Sequence, residues 1–266
     1  MNRIDKKFKE LKAQRKKALI IYITAGDPSL AITSRLVLGL ERAGADIIEL
    51  GIPFSDPMAD GPTIQAASQR ALKNKVTLDK VFKMVGSLRN KTDIPLVFMT
   101  YYNPVLKYGP ERFFKSCRIN SVDGVIVPDL PFEEAADLIN MARRYNVAAI
   151  NLVAPTSTAA RIKKIVKASS GFIYYVSLTG VTGARGGLPQ EIGAKVRLVK
   201  SMTNKPVCVG FGVSNREQAA KMAKIADGVI VGSAVINKIE KNLGRKKLEG
   251  IVATFTRTLN KGVKNI

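Results

Sequence analysis

The sequence predicts an α/β fold, a (β/α)8 TIM barrel with an extra N-terminal helix, and three observations predict it. Short β-rich runs alternate with longer amphipathic runs eight times in the 266-residue chain. The β-rich runs are apolar throughout, as in parallel strands covered on both faces. The polar and glycine-rich stretches collect just after those runs, at the strand ends where such barrels keep their chemistry. No GxGxxG fingerprint follows the first strand, which argues against a doubly wound dinucleotide fold. No linker or low-complexity tract interrupts residues 1–266, so one domain is expected.

The predicted strands are 19–24, 47–50, 96–100, 124–127, 149–153, 172–177, 207–210 and 228–231. Helical periodicity fills the intervals. Ser29 is placed as the N-cap of a helix reaching 43, and Leu78, Val81, Phe82 and Val85 mark another over 77–90. Further helices are expected near 110–119, 132–145, 158–168, 191–202, 216–226 and 246–259, with a short one opening at Ser233. The segment 1–17 carries Ile4, Phe8 and Leu11 on one face and is expected to cap the barrel bottom as a helix. Residues 53–62 and 179–189 are expected to be active-site loops, the second a glycine-rich lid.

Composition narrows the chemistry. The chain is 46% hydrophobic, enough for one sizeable core. No apolar run approaches the roughly 20 residues that span a bilayer, and residues 1–23 lack a secretory pattern, so a cytoplasmic location is expected. Cys117 and Cys208 form no CxxC pair, which disfavours a disulfide framework or zinc site. Histidine is absent, so acid–base work must fall to carboxylates, Lys, Tyr or Cys. The net charge of +22 invites a nucleic-acid partner. The lysines, however, are spread over nearly every helix rather than set among stacking aromatics, which favours a solvated basic surface.

Two carboxylates stand out. Glu49 interrupts an apolar strand, where an ionised, unpaired group would cost several kcal/mol, roughly. Desolvation should raise its pKa toward neutrality, which suits a group that gives and takes a proton. Asp60 follows eleven residues later in a loop closed by Gly61 and Pro62. The pair can divide acid and base roles; a salt-bridged structural Glu and a turn-forming Asp are the alternative. Gly210-Phe211-Gly212 and Gly232-Ser233, after the last two strands, bring backbone N–H groups and a helix N-terminus to where an anion such as a phosphate would sit. Tyr175, inside the sixth strand, is either a core residue or a lumen residue within reach of Glu49.

These residues resemble the tryptophan synthase alpha chain family. The resemblance rests on 49–62, Glu49 to Pro62, together with Thr24-Ala25-Gly26-Asp27-Pro28, Tyr102-Asn103-Pro104, Gly180-Val181-Thr182-Gly183, Gly210-Phe211-Gly212 and Gly232-Ser233, and it runs over about 1–264. It implies retro-aldol cleavage of indole-3-glycerol phosphate to indole and glyceraldehyde 3-phosphate, a lyase step of aromatic amino-acid biosynthesis. Glu49, Asp60 and Tyr175 are the implied catalytic residues. The implied substrate contacts are Tyr22, Thr100, Thr182, Gly183, Phe211, Gly212, Gly232 and Ser233. No cofactor or metal is implied in this chain. A pyridoxal-phosphate-dependent beta chain is the implied partner, in an α2β2 heterotetramer, with contacts through the loops 53–60 and 102–108. Tyr22 and Thr100 depart from the family, since both put a hydroxyl where an apolar residue is usual. The alternatives are a non-catalytic alpha-like activator of a beta chain and another phosphate-binding barrel such as an isomerase.

Overall fold

The computed structural model describes residues 1–176 and 188–265. Its strands are β1 Ala18–Thr24, β2 Ile47–Gly51, β3 Leu96–Met99, β4 Gly124–Ile126, β5 Ala148–Ala149, β6 Leu152–Val153, β7 Ile173–Val176, β8 Val207–Gly210 and β9 Gly228–Val231. All pair in parallel, in the order β5-β4-β3-β2-β1-β9-β8-β7-β6. The two ends of that order are halves of one strand. Only Ile150 and Asn151 separate β5 from β6; the Ile150 N–H donates to Val125 on one side, and Asn151 accepts from the Tyr174 N–H on the other. The sheet is therefore closed, and the eight strand positions expected from the sequence form a barrel.

Twelve α-helices accompany the strands among the described residues. They are α1 Arg3–Ala13, α2 Leu30–Arg42, α3 Pro62–Lys73, α4 Leu78–Leu88, α5 Tyr102–Tyr108, α6 Pro110–Ile119, α7 Ala136–Arg144, α8 Ala159–Ala168, α9 Leu188–Ser201, α10 Arg216–Ala223, α11 Ser233–Glu240 and α12 Leu248–Lys264. Side-chain caps start several of them: Ser29 accepts from Ile32 N–H, Thr158 from Arg161 N–H and Asn215 from Gln218 N–H. Each cap is worth about 1 kcal/mol. Two stretches expected as loops contain helix. α3 starts at Pro62 directly after the 53–61 turn, and 102–108 is the helix α5. The N-terminal helix ends at Ala13 rather than Lys17, and Arg15 turns the chain with φ 55°.

Side chains alternate between two apolar layers. Ile20, Ile47, Val97, Ile126, Phe172 and Cys208 fill the lumen, and α1 closes it from below with Ile4, Phe8 and Leu11. Gly124 makes room for Ile4, because a Cβ there would lie 3.0 Å from its Cδ1. The outer layer packs Leu19, Ile48, Phe98 and Tyr175 against the helices.

A repeating clip holds the barrel floor. The residue just before β2, β4 and β9 is an aspartate that accepts a backbone N–H from the strand before it. Asp46 takes Leu19 N–H at 2.7 Å, Asp123 takes Leu96 N–H at 2.8 Å and Asp227 takes Val207 N–H at 3.1 Å. Ser170 does the same for Ala149 N–H at 2.9 Å. Each aspartate is also paired: Asp46 with Lys264, Asp123 with Arg89 and Arg3, and Asp227 with Lys200 and Lys17. Among the described residues, no helix is long and apolar enough to cross a membrane.

Candidate active site

Glu49 is the third residue of β2, in register with Tyr22 of β1 and Val97 of β3, and all three point into the upper lumen. Its side chain is fully buried, and among the described residues neither carboxylate oxygen has a hydrogen-bond partner. Desolvation pushes its pKa up to about 8, so at neutral pH the group is a carboxylic acid.

Asp60 sits at the rim, half-buried, on the turn that leads into α3. Its backbone carbonyl accepts from Gln65 Nε2 at 2.8 Å. The Tyr101 hydroxyl bridges this turn: it accepts the Ala59 N–H at 3.0 Å and hydrogen-bonds the Asp60 carboxylate. The Tyr101 ring in turn rests on Phe54, with centroids 5.3 Å apart. Burial raises the Asp60 pKa to about 6, against the lowering effect of the Tyr101 hydrogen bond. The two carboxyls therefore straddle neutrality, one protonated and one charged.

Tyr22 lies between them and the opposite wall. Its ring passes 3.6 Å from where a Cβ of Gly232 would lie, and its hydroxyl lies over Gly51, 3.4 Å from Thr24 Oγ1. Burial, then the negative charge of Asp60, raise its pKa far above the usual phenol value.

Strand parity corrects two expectations. Tyr175 faces outward into the layer between barrel and helices, and burial alone raises its pKa. Tyr174 is the lumen tyrosine. Its hydroxyl abuts Gly210, and the charge of Glu49 adds to burial in holding it protonated. Likewise Thr100 has the parity of Leu96 and Phe98, whose side chains pack outward, and it is Met99 that shares the inner face with Gly51 and Ile126. The sequence 172–176 is apolar or aromatic throughout, so it carries no alternation from which parity could be read. Tyr101 was missed for another reason: only the folded turn of 53–61 brings Asp60 to it.

The anion cradle lies across the mouth. Gly212 has φ 24°, and Phe211 is partly buried beside it. α11 begins at Ser233, and its Val235 and Ile236 N–H groups both donate to Gly232 O, at 2.8 and 3.1 Å. The Ser233 and Ala234 N–H groups have no helical acceptor and face the mouth side of the helix N-terminus, where the dipole favours an anion. Thr182 and Gly183 lie outside the described residues. No cluster of three His, Cys, Asp or Glu side chains suited to a metal occurs among the described residues.

Fold and site together define a class: a (β/α)8 barrel with two carboxyls of raised pKa at its mouth, across from a glycine-rich turn and a helix N-terminus. The model of the family described as tryptophan synthase alpha chain matches residues 8–264. The alpha chain of Thermoanaerobacter sp. (strain X514) is 49% identical over 97% of this chain and 98% of its own length; that of Geotalea daltonii is 48% identical over 99% of each. Among solved structures, the alpha subunit from Legionella pneumophila superposes with a TM-score of 0.93 at 40% identity, covering 100% of both chains. A tryptophan synthase structure from Mycobacterium tuberculosis gives 0.90 at 37%, covering 99% of this chain and 98% of the other. The chain belongs to the tryptophan synthase alpha chain family, and it is the lyase subunit that cleaves indole-3-glycerol phosphate in tryptophan biosynthesis.

Proposed function

We propose that Glu49 and Asp60 divide the cleavage between them. The observation that carries this reading is the protonated Glu49 carboxyl, buried and without a hydrogen-bond partner among the described residues, beside a rim carboxylate that titrates near 6. The Glu49 carboxyl donates its proton to the indole ring carbon that bears the glycerol chain. Positive charge then builds on the indole nitrogen, and the Asp60 carboxylate holds that N–H. The Glu49 carboxylate next takes the proton of the adjacent glycerol hydroxyl. The carbonyl forms, the carbon–carbon bond breaks, and its electron pair returns to the ring, giving indole and glyceraldehyde 3-phosphate with Glu49 protonated again. General acid–base steps of this kind contribute typically about 10²–10⁴ each.

Tyr174 rather than Tyr175 orients the Glu49 side of the site. Tyr22 and Met99 flank the ring, Phe211, Gly212, Gly232 and Ser233 hold the phosphate, and Thr182 and Gly183 are further substrate contacts. The chemistry runs on side chains of this chain and calls for no cofactor within it. A pyridoxal-phosphate-dependent beta chain is the proposed partner in a cytoplasmic α2β2 assembly. Met58 on the Asp60 turn and Leu106 on α5 are 85% and 54% exposed, large apolar side chains at the mouth that a partner would cover. The test is indole release from indole-3-glycerol phosphate, with and without a beta chain, alongside sedimentation of the mixture. Turnover that rises on adding the beta chain, with a complex of two copies of each, is expected. No turnover under either condition overturns the mechanism.

A further inference from the structure

Arg70 lies outside the site, on the third turn of α3, yet it joins three elements that end there. Its Nε and one terminal nitrogen donate to both oxygens of Asp27 at 2.8 and 2.9 Å, and its other terminal nitrogen donates to Glu240 at 2.7 Å. Asp27 stands on the turn after β1 with its side chain fully buried, so the forked pair is held away from water on that side. Glu240 is the last residue of α11. Asn74, one residue past α3, adds a 2.6 Å hydrogen bond to Pro28 O on the same turn.

The two helices both start at the site. α3 runs away from Asp60, and Gln65 ties its first turn back to the Asp60 carbonyl. α11 runs away from the Gly232–Ser233 cradle. A clamp on the far ends of both helices therefore fixes the spacing of their near ends. We propose that Arg70 is a positioning residue that sets the Asp60 carboxylate against the phosphate-binding end of α11, so that the two ends of the substrate are held at one fixed span. The proposal rests on the mechanism above. Lysine cannot replace the arginine here, because a single ammonium cannot reproduce the planar fork on Asp27 while reaching Glu240. Misplacement of a reacting group by about 1 Å can cost about 10²-fold in rate.

The experiment measures steady-state cleavage by the full chain, with inorganic phosphate as competing anion, for wild type, Arg70→Lys and Glu240→Gln. For Arg70→Lys, kcat should fall about tenfold or more with KM within about threefold, and the acidic limb of the pH profile set by Asp60 should move. For Glu240→Gln, which alters a part-exposed carboxylate, the inhibition constant of inorganic phosphate should weaken about threefold. Thermal unfolding establishes that each variant is folded at the assay temperature; if Arg70→Lys is not, Glu240→Gln alone decides. Wild-type kcat and an unmoved acidic limb in a folded Arg70→Lys, or an unchanged phosphate inhibition constant in Glu240→Gln, overturn the proposal. Absence of cleavage by the wild type would instead overturn the mechanism on which it rests.

Discussion

The Tyr22 hydroxyl occupies the space where a side chain at Gly51 would begin. Gly51 pairs with Thr24, two residues above the Tyr22–Glu49 pair on the neighbouring strands β1 and β2, so the Tyr22 side chain reaches diagonally across to it. Gly51→Ala should therefore collide with the hydroxyl and with the ring carbons behind it and destabilise the chain, and Tyr22→Leu, which removes both, should relieve most of the collision. In the Tyr22→Leu background, Gly51→Ala is expected to cost less than half of what it costs in the wild type. Chemical denaturation of the four proteins in a double-mutant cycle measures this, and additive losses would contradict it.

Glu49→Gln should separate the catalytic from the energetic cost of that carboxyl. Cleavage should fall about 10³-fold or more, in line with the loss of a general acid and base. Stability should move the other way as pH rises. The native chain keeps the Glu49 proton up to about 8 while the unfolded chain loses it near 4.5, so the wild type loses stability across that interval. The Gln variant carries no such loss. Its melting temperature relative to wild type should therefore climb between pH 5 and pH 8.5, which scanning calorimetry at the two values reads directly.

The pH dependence of kcat/KM should be bell-shaped. The proposed mechanism needs Asp60 charged and Glu49 protonated, so the limbs should fall near 6 and near 8. The Tyr101 hydrogen bond lowers the Asp60 pKa, so Tyr101→Phe should shift the acidic limb upward and leave the basic limb in place. An acidic limb that stays put would mean that the hydroxyl only braces Ala59.

The floor clips should govern stability without touching chemistry. Asp123 and Arg89 are almost wholly buried and 2.6 Å apart. Asp123→Ala leaves the guanidinium unpaired and the Leu96 N–H without its acceptor. The expected loss is about 3–5 kcal/mol of unfolding free energy by urea denaturation. Below its lowered melting temperature the variant should keep its kcat, because the clip lies at the opposite end of the barrel from Glu49.

The barrel was legible in the sequence because parallel strands buried on both faces are short apolar blocks, and each block fell within a residue or two of a strand position. Glu49 and Asp60 were legible for the same reason in reverse: a carboxylate inside such a block, and another in a Gly-Pro turn, are expensive or unusual without a task. The helices α3 and α5 were not. Gly61 and Pro62 punctuate like a loop although proline at the first helical position starts a helix well, and Pro104 disguises the first turn of α5 in the same way. Parity was the other blind spot. In Tyr174-Tyr175 and Met99-Thr100, neighbours lie on opposite faces of the strand, and only the strand register decides which of each pair faces inward.

The plug made by Ile4, Phe8 and Leu11 turns the lumen into a cul-de-sac. Substrate, phosphate-bearing product and the apolar indole fragment must all use one doorway, the rim that carries Asp60, Met58 and Leu106. Since the described residues leave no exit through the floor, the order in which the two fragments depart would be set at that threshold, and a partner seated over it would control where the indole goes next.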